Sequence, residues 1–498
     1  MNLNFCVKIC SFLVLIIAFI FNSIGNFMGF GDIISTTSDI TEITTEAIET
    51  TIGITEETHT MFDHVSSSLF MTYPYSSSSE TSTLINPITY DLSSVYTYDN
   101  GIVYSVCCDQ KNQFITANYF VKPKNSSVLK ENSDGLIIDA NGTVLLEKII
   151  PVSDGGFLAV GNAEASVING ESIALKGHKD GLIIRFSEDL EIEWVKLIGG
   201  TSDDEICSVY VLPDGSFILG GNSSSNDGDM ENLGTEKIKA FVFKYSSDGE
   251  IVWKQALSGS KHNSVKDIAV NKSGEINVVI SCLSCDGEFS DLEGTENGKE
   301  TSVIVKLNKN GDILWKKALY DSGRTIISSI VSTPDGGCVV AGSYSLSSKG
   351  AIGSLSGLYS GGLPGTTDGV VIRFNSDGSI VWKKGFVGFE NDFITDIVKT
   401  QNGYAVLGKT NSSNRDFEGV ARGGNDIYVY FLGENGSKDS AWFLQGSGDE
   451  NSLDMFINNE GTIYICGTTY SNDGDFGDET VLKTSDKLKS FIAKFEMK

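Results

Sequence analysis

The chain has 498 residues, with 37 lysines and arginines against 65 aspartates and glutamates, for a net charge of −28. A surface of that sign repels phosphate backbones and anionic membranes, which excludes nucleic acid as a partner and leaves the membrane only as an N-terminal anchorage. Of nine cysteines, Cys6 and Cys10 fall in the apolar N-terminus, and the other seven are too widely spread for a disulfide framework.

Residues 1–25 read as a secretory signal: Lys8, the run FLVLIIAFIF, and the small-residue exit Ser23-Ile24-Gly25. A retained signal anchor is the alternative, although the run is short for a membrane span. Either reading places the chain outside the cell, secreted or at its surface. Residues 26–85 carry no lysine or arginine and are dominated by serine and threonine, so an acidic disordered stalk is expected there.

From residue 86 to 498 the texture changes to short β-rich runs separated by Asp, Gly, Asn and Ser. All five tryptophans, Trp194, Trp253, Trp315, Trp382 and Trp442, fall in one local context, at intervals of 59, 62, 67 and 60 residues. Each unit reads as four strands. In one unit the second strand is "FILGG", the third "AFVFKY" and the fourth "EIVWKQAL". Asp-Gly and Asn-Gly between apolar runs mark hairpins, since glycine accepts the positive φ of a tight turn. Four antiparallel strands in a unit of about 60 residues specify an all-β fold, a β-propeller.

Seven blades are expected, the last completed by an N-terminal strand within INPITYDLSSVY, with Tyr90 at the tryptophan position. Leu146 takes that position in the first unit. Only nine residues separate it from the turn glycine Gly155, where other units take 21, so the second blade is expected to have lost or shortened its first strand. Repeated tryptophans of this kind are expected to fill the wedge between blades rather than to form a ligand platform.

The Gly-x-x-x-Trp spacing, at Gly249 to Trp253 and Gly378 to Trp382, resembles the tryptophan-docking repeat of quinoprotein-dehydrogenase-like propellers. "PDGGCVVAGSYS", "VIVKLNKNGDILWKKAL" and "IGGTSDDEICSV" are similar to propeller repeats of secreted bacterial and microbial surface proteins. That resemblance covers roughly residues 90–498 and implies the fold, not an activity. It also draws attention to the adjacent Cys107 and Cys108, because quinoprotein dehydrogenases set a vicinal disulfide against their cofactor. No matching set of cofactor ligands accompanies the pair, and a quinone-dependent oxidoreductase is a remote alternative.

The long polar loops share one face of such a propeller, where function is expected to concentrate. Two of them carry SNDGD. Asp227, Asp229 and Glu231 in the first, and Asp473, Asp475 and Asp478 in the second, are candidate oxygen ligands for calcium. A third loop offers Asp286, Glu288 and Asp291. Asp-Gly is also a turn former, and solvated turns are the plainer reading. Asp134, Asp180, Asp368 and Asp426 recur just before the third strand, either as ligand contacts ringing that face or as turn caps.

No Ser-His-Asp arrangement, zinc pattern or phosphate loop stands out. Cys282 and Cys285 are read as a local disulfide or two free thiols. Six Asn-x-Ser/Thr sequons, among them Asn222, make glycosylation expected in a eukaryotic source. The leading expectation is a monomeric, non-enzymatic module binding a glycan or protein through its acidic loop face. The alternative is an extracellular carbohydrate-active hydrolase or lyase working through loop carboxylates.

Overall fold

The computed structural model describes residues 142–476, apart from 169–170, 188–190, 235–237, 321–322, 346–352, 359–364, 421–422 and 459–460, together with residues 489–496 and six strands between 83 and 138. The expected signal, the expected stalk up to residue 82, and Tyr90 lie outside the described residues, whereas residues 83–85, expected as the end of the stalk, belong to a strand.

The strands are grouped by sheet. β1 (Thr83–Ile88) precedes β2 (Asp91–Thr97), β3 (Ile102–Cys108), β4 (Ile115–Val121), β5 (Lys130–Glu131) and β6 (Leu136–Ile138), in which β4 pairs with β3, β5 and β6. β7 (Val144–Pro151) and β8 (Phe157–Ala163) lead through a short ribbon of β9 (Val167–Ile168) and β10 (Glu171–Ser172) to β11 (Asp180–Phe186) and β12 (Ile192–Ile198). The next sheet holds β13 (Asp204–Val211), β14 (Phe217–Ser223), β15 (Lys239–Tyr245) and β16 (Ile251–Leu257). After it come β17 (Asn263–Val270), β18 (Ile276–Cys282), β19 (Thr301–Leu307) and β20 (Ile313–Leu319). β21 (Arg324–Ser332), β22 (Cys338–Ser345), β23 (Thr367–Phe374) and β24 (Ile380–Phe386) form the fifth unit. β25 (Asp392–Lys399), β26 (Gly403–Thr410), β27 (Asp426–Gly433) and β28 (Lys438–Leu444) form the sixth. β29 (Glu450–Ile457), β30 (Thr462–Thr469) and β31 (Lys489–Glu496) complete the series, and β1 pairs antiparallel with β31, Thr83 opposite Lys494.

The architecture is therefore a repeat of four-stranded antiparallel meanders, a propeller-like fold. The first strands of successive units pack on one another in order, β2 on β7, β7 on β13 and so on, and β29 packs on β2. The middle strands are buried along their whole length: β8, β11, β18 and β19 have no exposed residue. Apolar slabs fill the space between neighbouring sheets, as where Ile218, Ala240 and Val242 meet Val265, Val278 and Val303. This is why third strands such as "AFVFKY" and "VIVKL" are apolar throughout instead of alternating: both faces are covered.

Two expectations are corrected. β7 is a full eight-residue inner strand paired with β8 from Val144 to Pro151, so the second unit has not lost its first strand. Leu146 sits in that strand, 2% exposed, and its short distance to Gly155 is simply that from first strand to turn. The slip propagates back: "YSVCC" belongs to a second strand, β3, and "DLSSVYT" forms the first, β2.

The tryptophans clamp neighbouring units at the rim. Nε1 of Trp253 donates to Lys309 O at 3.2 Å, Trp315 to Ser376 O at 2.9 Å and Trp382 to Glu434 O at 3.0 Å. Each acceptor lies in the hairpin between the third and fourth strands of the next unit. A Cβ on that hairpin's glycine would come 2.9 Å from the Trp253 ring at Gly311 and 2.9 Å from the Trp382 ring at Gly436. The rings are half-buried. They dock on the turn and, as expected, also pack against the apolar slabs between sheets.

Candidate functional site

The SNDGD loops have a repeated local structure. Asp227 and Asp286 stand in extended backbone (φ −132° and −135°) ahead of a short 3-10 turn. Gly228 and Gly287 then take φ of 62° and 59°, and Met230 or Phe289 plugs into the core, 0% exposed. Asp227 Oδ1 accepts from Thr201 N at 2.8 Å, Asp286 Oδ1 from Ser260 N at 2.7 Å and Asp473 Oδ1 from Ser447 N at 2.8 Å. Asp229 Oδ2 accepts from Gly199 N at 3.0 Å, and Asp475 Oδ2 from Gln445 N at 2.8 Å. Each turn thus hooks onto the connection from the preceding unit.

Of the expected calcium ligands, Asp227, Asp229, Asp286, Asp473 and Asp475 thus anchor their loops. Asp291 pairs with Lys316 at 2.8 Å, and Glu231 offers its backbone carbonyl to Lys254 at 3.1 Å. Glu288 donates its backbone N–H to Ser258 O at 2.9 Å. Among the described residues no three His, Cys, Asp or Glu side chains converge as a metal set. Asp478 and Asp134 lie outside the described residues.

Asp180, Asp368 and Asp426 share an equivalent position at the start of β11, β23 and β27, and each is 0% exposed. They do not ring an open surface. Asp180 Oδ2 accepts from Lys176 N at 2.6 Å, and Asp426 Oδ1 from Gly446 N at 3.2 Å, which makes them buried turn acceptors. Cys282 and Cys285 are free thiols, and Cys282 donates to Ser284 O at 3.3 Å.

What the structure does bring together was not expected. A cleft of about 320 Å³ opens between the second and third units, lined by Thr143, Leu145, Glu147, Asn162, Glu164, Lys179, Glu205, Ile206 and Cys207. Glu147 and Cys207 owe their place to a β-bulge that recurs in the first strands, between Leu146 and Lys148 in β7 and between Ile206 and Ser208 in β13. The extra residue turns out of the pleat, here into the cleft.

The two acids are tuned apart. Burial, then the neighbouring Glu205 charge, push the Glu147 carboxyl above the ordinary glutamate range. Burial also works on Glu205, but Lys179 and Asn222 outweigh it and hold that carboxyl below the ordinary range. Lys179 Nζ bonds Glu205 Oε1, and Asn222 Nδ2 donates to Glu205 Oε2 at 3.2 Å. Cys207 Sγ donates to Asn222 Oδ1 at 3.3 Å and fixes which way that amide points. Two carboxyls whose surroundings push them in opposite directions are the arrangement of an acid–base pair.

Below the cleft, the residues following the bulges meet on the axis. Lys148 Nζ reaches Asp267 Oδ1 at 3.3 Å across an intervening unit. Asp267 also accepts from Ser208 Oγ (2.9 Å), Ser329 Oγ (3.1 Å) and Ile330 N (3.0 Å), while Ser329 Oγ lies 2.7 Å from Asp396 Oδ1. Burial disfavours the Lys148 ammonium, yet Asp267, Asp454 and Asp396 outweigh it and hold the group protonated well above its usual range. Burial and Asp454 push Asp396 up.

No protein-family model and no curated protein matches the chain. Among solved structures it is similar to a polysaccharide lyase (8% identity, 82% of this chain and 90% of that one, TM-score 0.44). It is also similar to the Penicillium chrysogenum α-L-arabinanase bound to arabinobiose (10%, 83% and 98%, TM-score 0.36). A Synechocystis apocarotenoid oxygenase mutant matches at 11% identity over 70% of this chain and 74% of that one, with TM-score 0.35. These neighbours carry the names of enzymes, which stands against the expectation of a non-enzymatic binding module. Likeness this distant transfers no residue role and no activity.

Proposed function

We propose that the sheets form a closed seven-bladed propeller, completed by β1, and that the Glu147–Glu205 cleft is the catalytic site of an extracellular glycoside hydrolase. The observation that carries this reading is the pairing, in one cleft, of a carboxyl shifted above the ordinary glutamate range with a carboxyl shifted below it. Glu147 gives its proton to the glycosidic oxygen as the C–O bond breaks. Glu205 takes a proton from the water that forms the new C–O bond, and Lys179 and Asn222 keep it ionised and oriented. Thr143, Asn162 and Lys179 supply donors and acceptors for sugar hydroxyls.

Charge favours a neutral glycan. Glu147, Glu164 and Glu205 face one lysine in the cleft, on a chain of net charge −28, so a polyuronate is repelled. That also favours hydrolysis over the elimination a lyase performs on uronates. The test is a panel of neutral and acidic polysaccharides assayed for new reducing ends and for unsaturated-uronate absorbance. Reducing ends from a neutral polymer, lost in both Glu147→Gln and Glu205→Gln, support the reading. No turnover on any polymer, or turnover that survives both substitutions, overturns it.

A further inference from the structure

The starts of the third strand of one unit and the first strand of the next meet at each unit junction, and the residues there vary together. Where the third strand begins with Asp180, Asp368 or Asp426, the next first strand begins with an acid, Asp204, Asp392 or Glu450, and all six are 1% exposed or less. Where it begins with Lys239 the partner is the neutral Asn263, and where it begins with Thr301 the partner is Thr325 within β21. Among the five junctions whose side chains are described, like charges are thus paired three times in the interior, and Lys239 faces no acid but bonds Ser225 O at 2.5 Å and Asn226 Oδ1 at 2.8 Å.

One oxygen of each first-strand acid is well held. Asp204 Oδ2 accepts from Gly200 N at 2.8 Å and Ser225 Oγ at 2.7 Å, and Asp392 Oδ2 from Gly388 N at 2.6 Å. Glu450 Oε1 accepts from Thr469 Oγ1 at 2.7 Å and Ser471 Oγ at 2.6 Å. Asp180 Oδ1, Asp204 Oδ1 and Glu450 Oε2 are buried with no hydrogen-bond partner. Asp180 and Asp204 both reach the space beside Gly199, where a Cβ would lie 2.3 Å from Asp180 Oδ1 and 2.6 Å from Asp204 Oδ2. Glu450 N donates to Asn425 O at 2.8 Å, which sets Asp426 and Glu450 side by side, and the Asp426 charge helps to raise the buried Glu450 carboxyl.

We infer that each of these junctions, Asp180–Asp204, Asp368–Asp392 and Asp426–Glu450, binds one proton shared between its two carboxyls, so that acid locks the units together and alkaline medium loosens them. Few charges oppose this. Lys176, on the loop before β11, faces Asp180 but is itself bound to Asp229. Asp416, bound to Lys438, and the phenol of Tyr428 lie around Asp368 and Asp392. Burial pushes Asp392 and Glu450 up to about 7, and Asp180 and Asp204 upward in the same sense. The native state then holds protons that the unfolded chain releases above the ordinary carboxylate range. Stability is therefore present at acid pH and lost as pH rises toward and through 7.

The experiment is urea unfolding of the purified chain from pH 5 to pH 8, with Asp392→Asn and Glu450→Gln, whose amides can donate where the proton sat. The wild-type unfolding constant should rise with pH, by about tenfold per unit for each pair still holding its proton. Each variant should lower that slope by one proton and be more stable than wild type at pH 8. A wild-type constant flat or falling between pH 5 and 7 overturns the inference even if both variants fail to fold. So does a variant that keeps the wild-type slope. Recovery of the pH 5 stability at pH 8 by millimolar Ca²⁺ also overturns it, because the pairs would then hold a cation. None of these outcomes depends on turnover in the cleft.

Discussion

Gly311 lies under the Trp253 ring with φ of 90°, so a side chain there meets both an indole and a disfavoured backbone. Gly311→Ala should cost about 1–3 kcal/mol in chemical denaturation, more than the same change at an unpacked turn. Arg415 is the informative exception among the anchoring turns: it holds φ of 56° where Gly228, Gly287, Gly353 and Gly474 hold 62°, 59°, 55° and 60°. Its guanidinium stacks 4.8 Å from the Phe389 ring, which offsets part of that strain. Arg415→Gly should therefore be more stable than Arg415→Ala by about 1 kcal/mol, because alanine keeps the strain and loses the stacking. Equal stabilities would show that the backbone there is not strained. At this scale the sequence was informative about turns, where Asp-Gly has one local meaning. It was silent about Glu147 and Glu205, since a bulge decides which strand residue leaves the pleat and register decides what it then faces. A polar residue recurring inside each apolar first strand, Lys148, Ser208, Asp267, Ser329, Asp396 and Asp454, is the one linear trace of the axial cluster.

The element that repeats is a meander whose fourth strand carries a tryptophan for its neighbour's hairpin. Because the rings are half-buried, Trp253→Ala should cost about 2–3 kcal/mol, at or below the low end for fully buried aromatics. A loss under about 1 kcal/mol would mean that docking on the Lys309–Gly311 hairpin contributes little. Four of these meanders were legible from period and turn chemistry alone. The first was not, because its outer pairing is divided between β5 and β6, neither of which has a tryptophan, so the frame slipped by one strand and β7 was read as an outer strand. The SNDGD loops show the converse: closely spaced carboxylates suggest an ion by composition, and Asp227, Asp229, Asp473 and Asp475 accept backbone N–H groups from the preceding connection, a role that spacing alone does not reveal.

For the molecule as a whole, two features tie distant chain segments. β1 covers the otherwise exposed edge of β31, so a chain beginning at residue 90 should melt lower and aggregate more readily than one beginning at residue 83. Indistinguishable melting would show that β1 is dispensable. On the axis, Lys148 answers the charges of Asp267, Asp396 and Asp454, and Lys148→Met should destabilise more at pH 8 than at pH 5, as more of the carboxyls become charged without it.

The measurement that tests the central claim most directly is the pH dependence of kcat/KM on a turned-over neutral glycan, for wild type and for Lys179→Met. Glu205 below its ordinary range and Glu147 above it give a bell, with activity lost at low pH as Glu205 takes a proton and at high pH as Glu147 loses one. Removing the ammonium that holds Glu205 ionised should move the acid limb to higher pH and raise the alkaline limb little or not at all. A bell whose acid limb stays in place in Lys179→Met would contradict the assignment of Glu205 as the base.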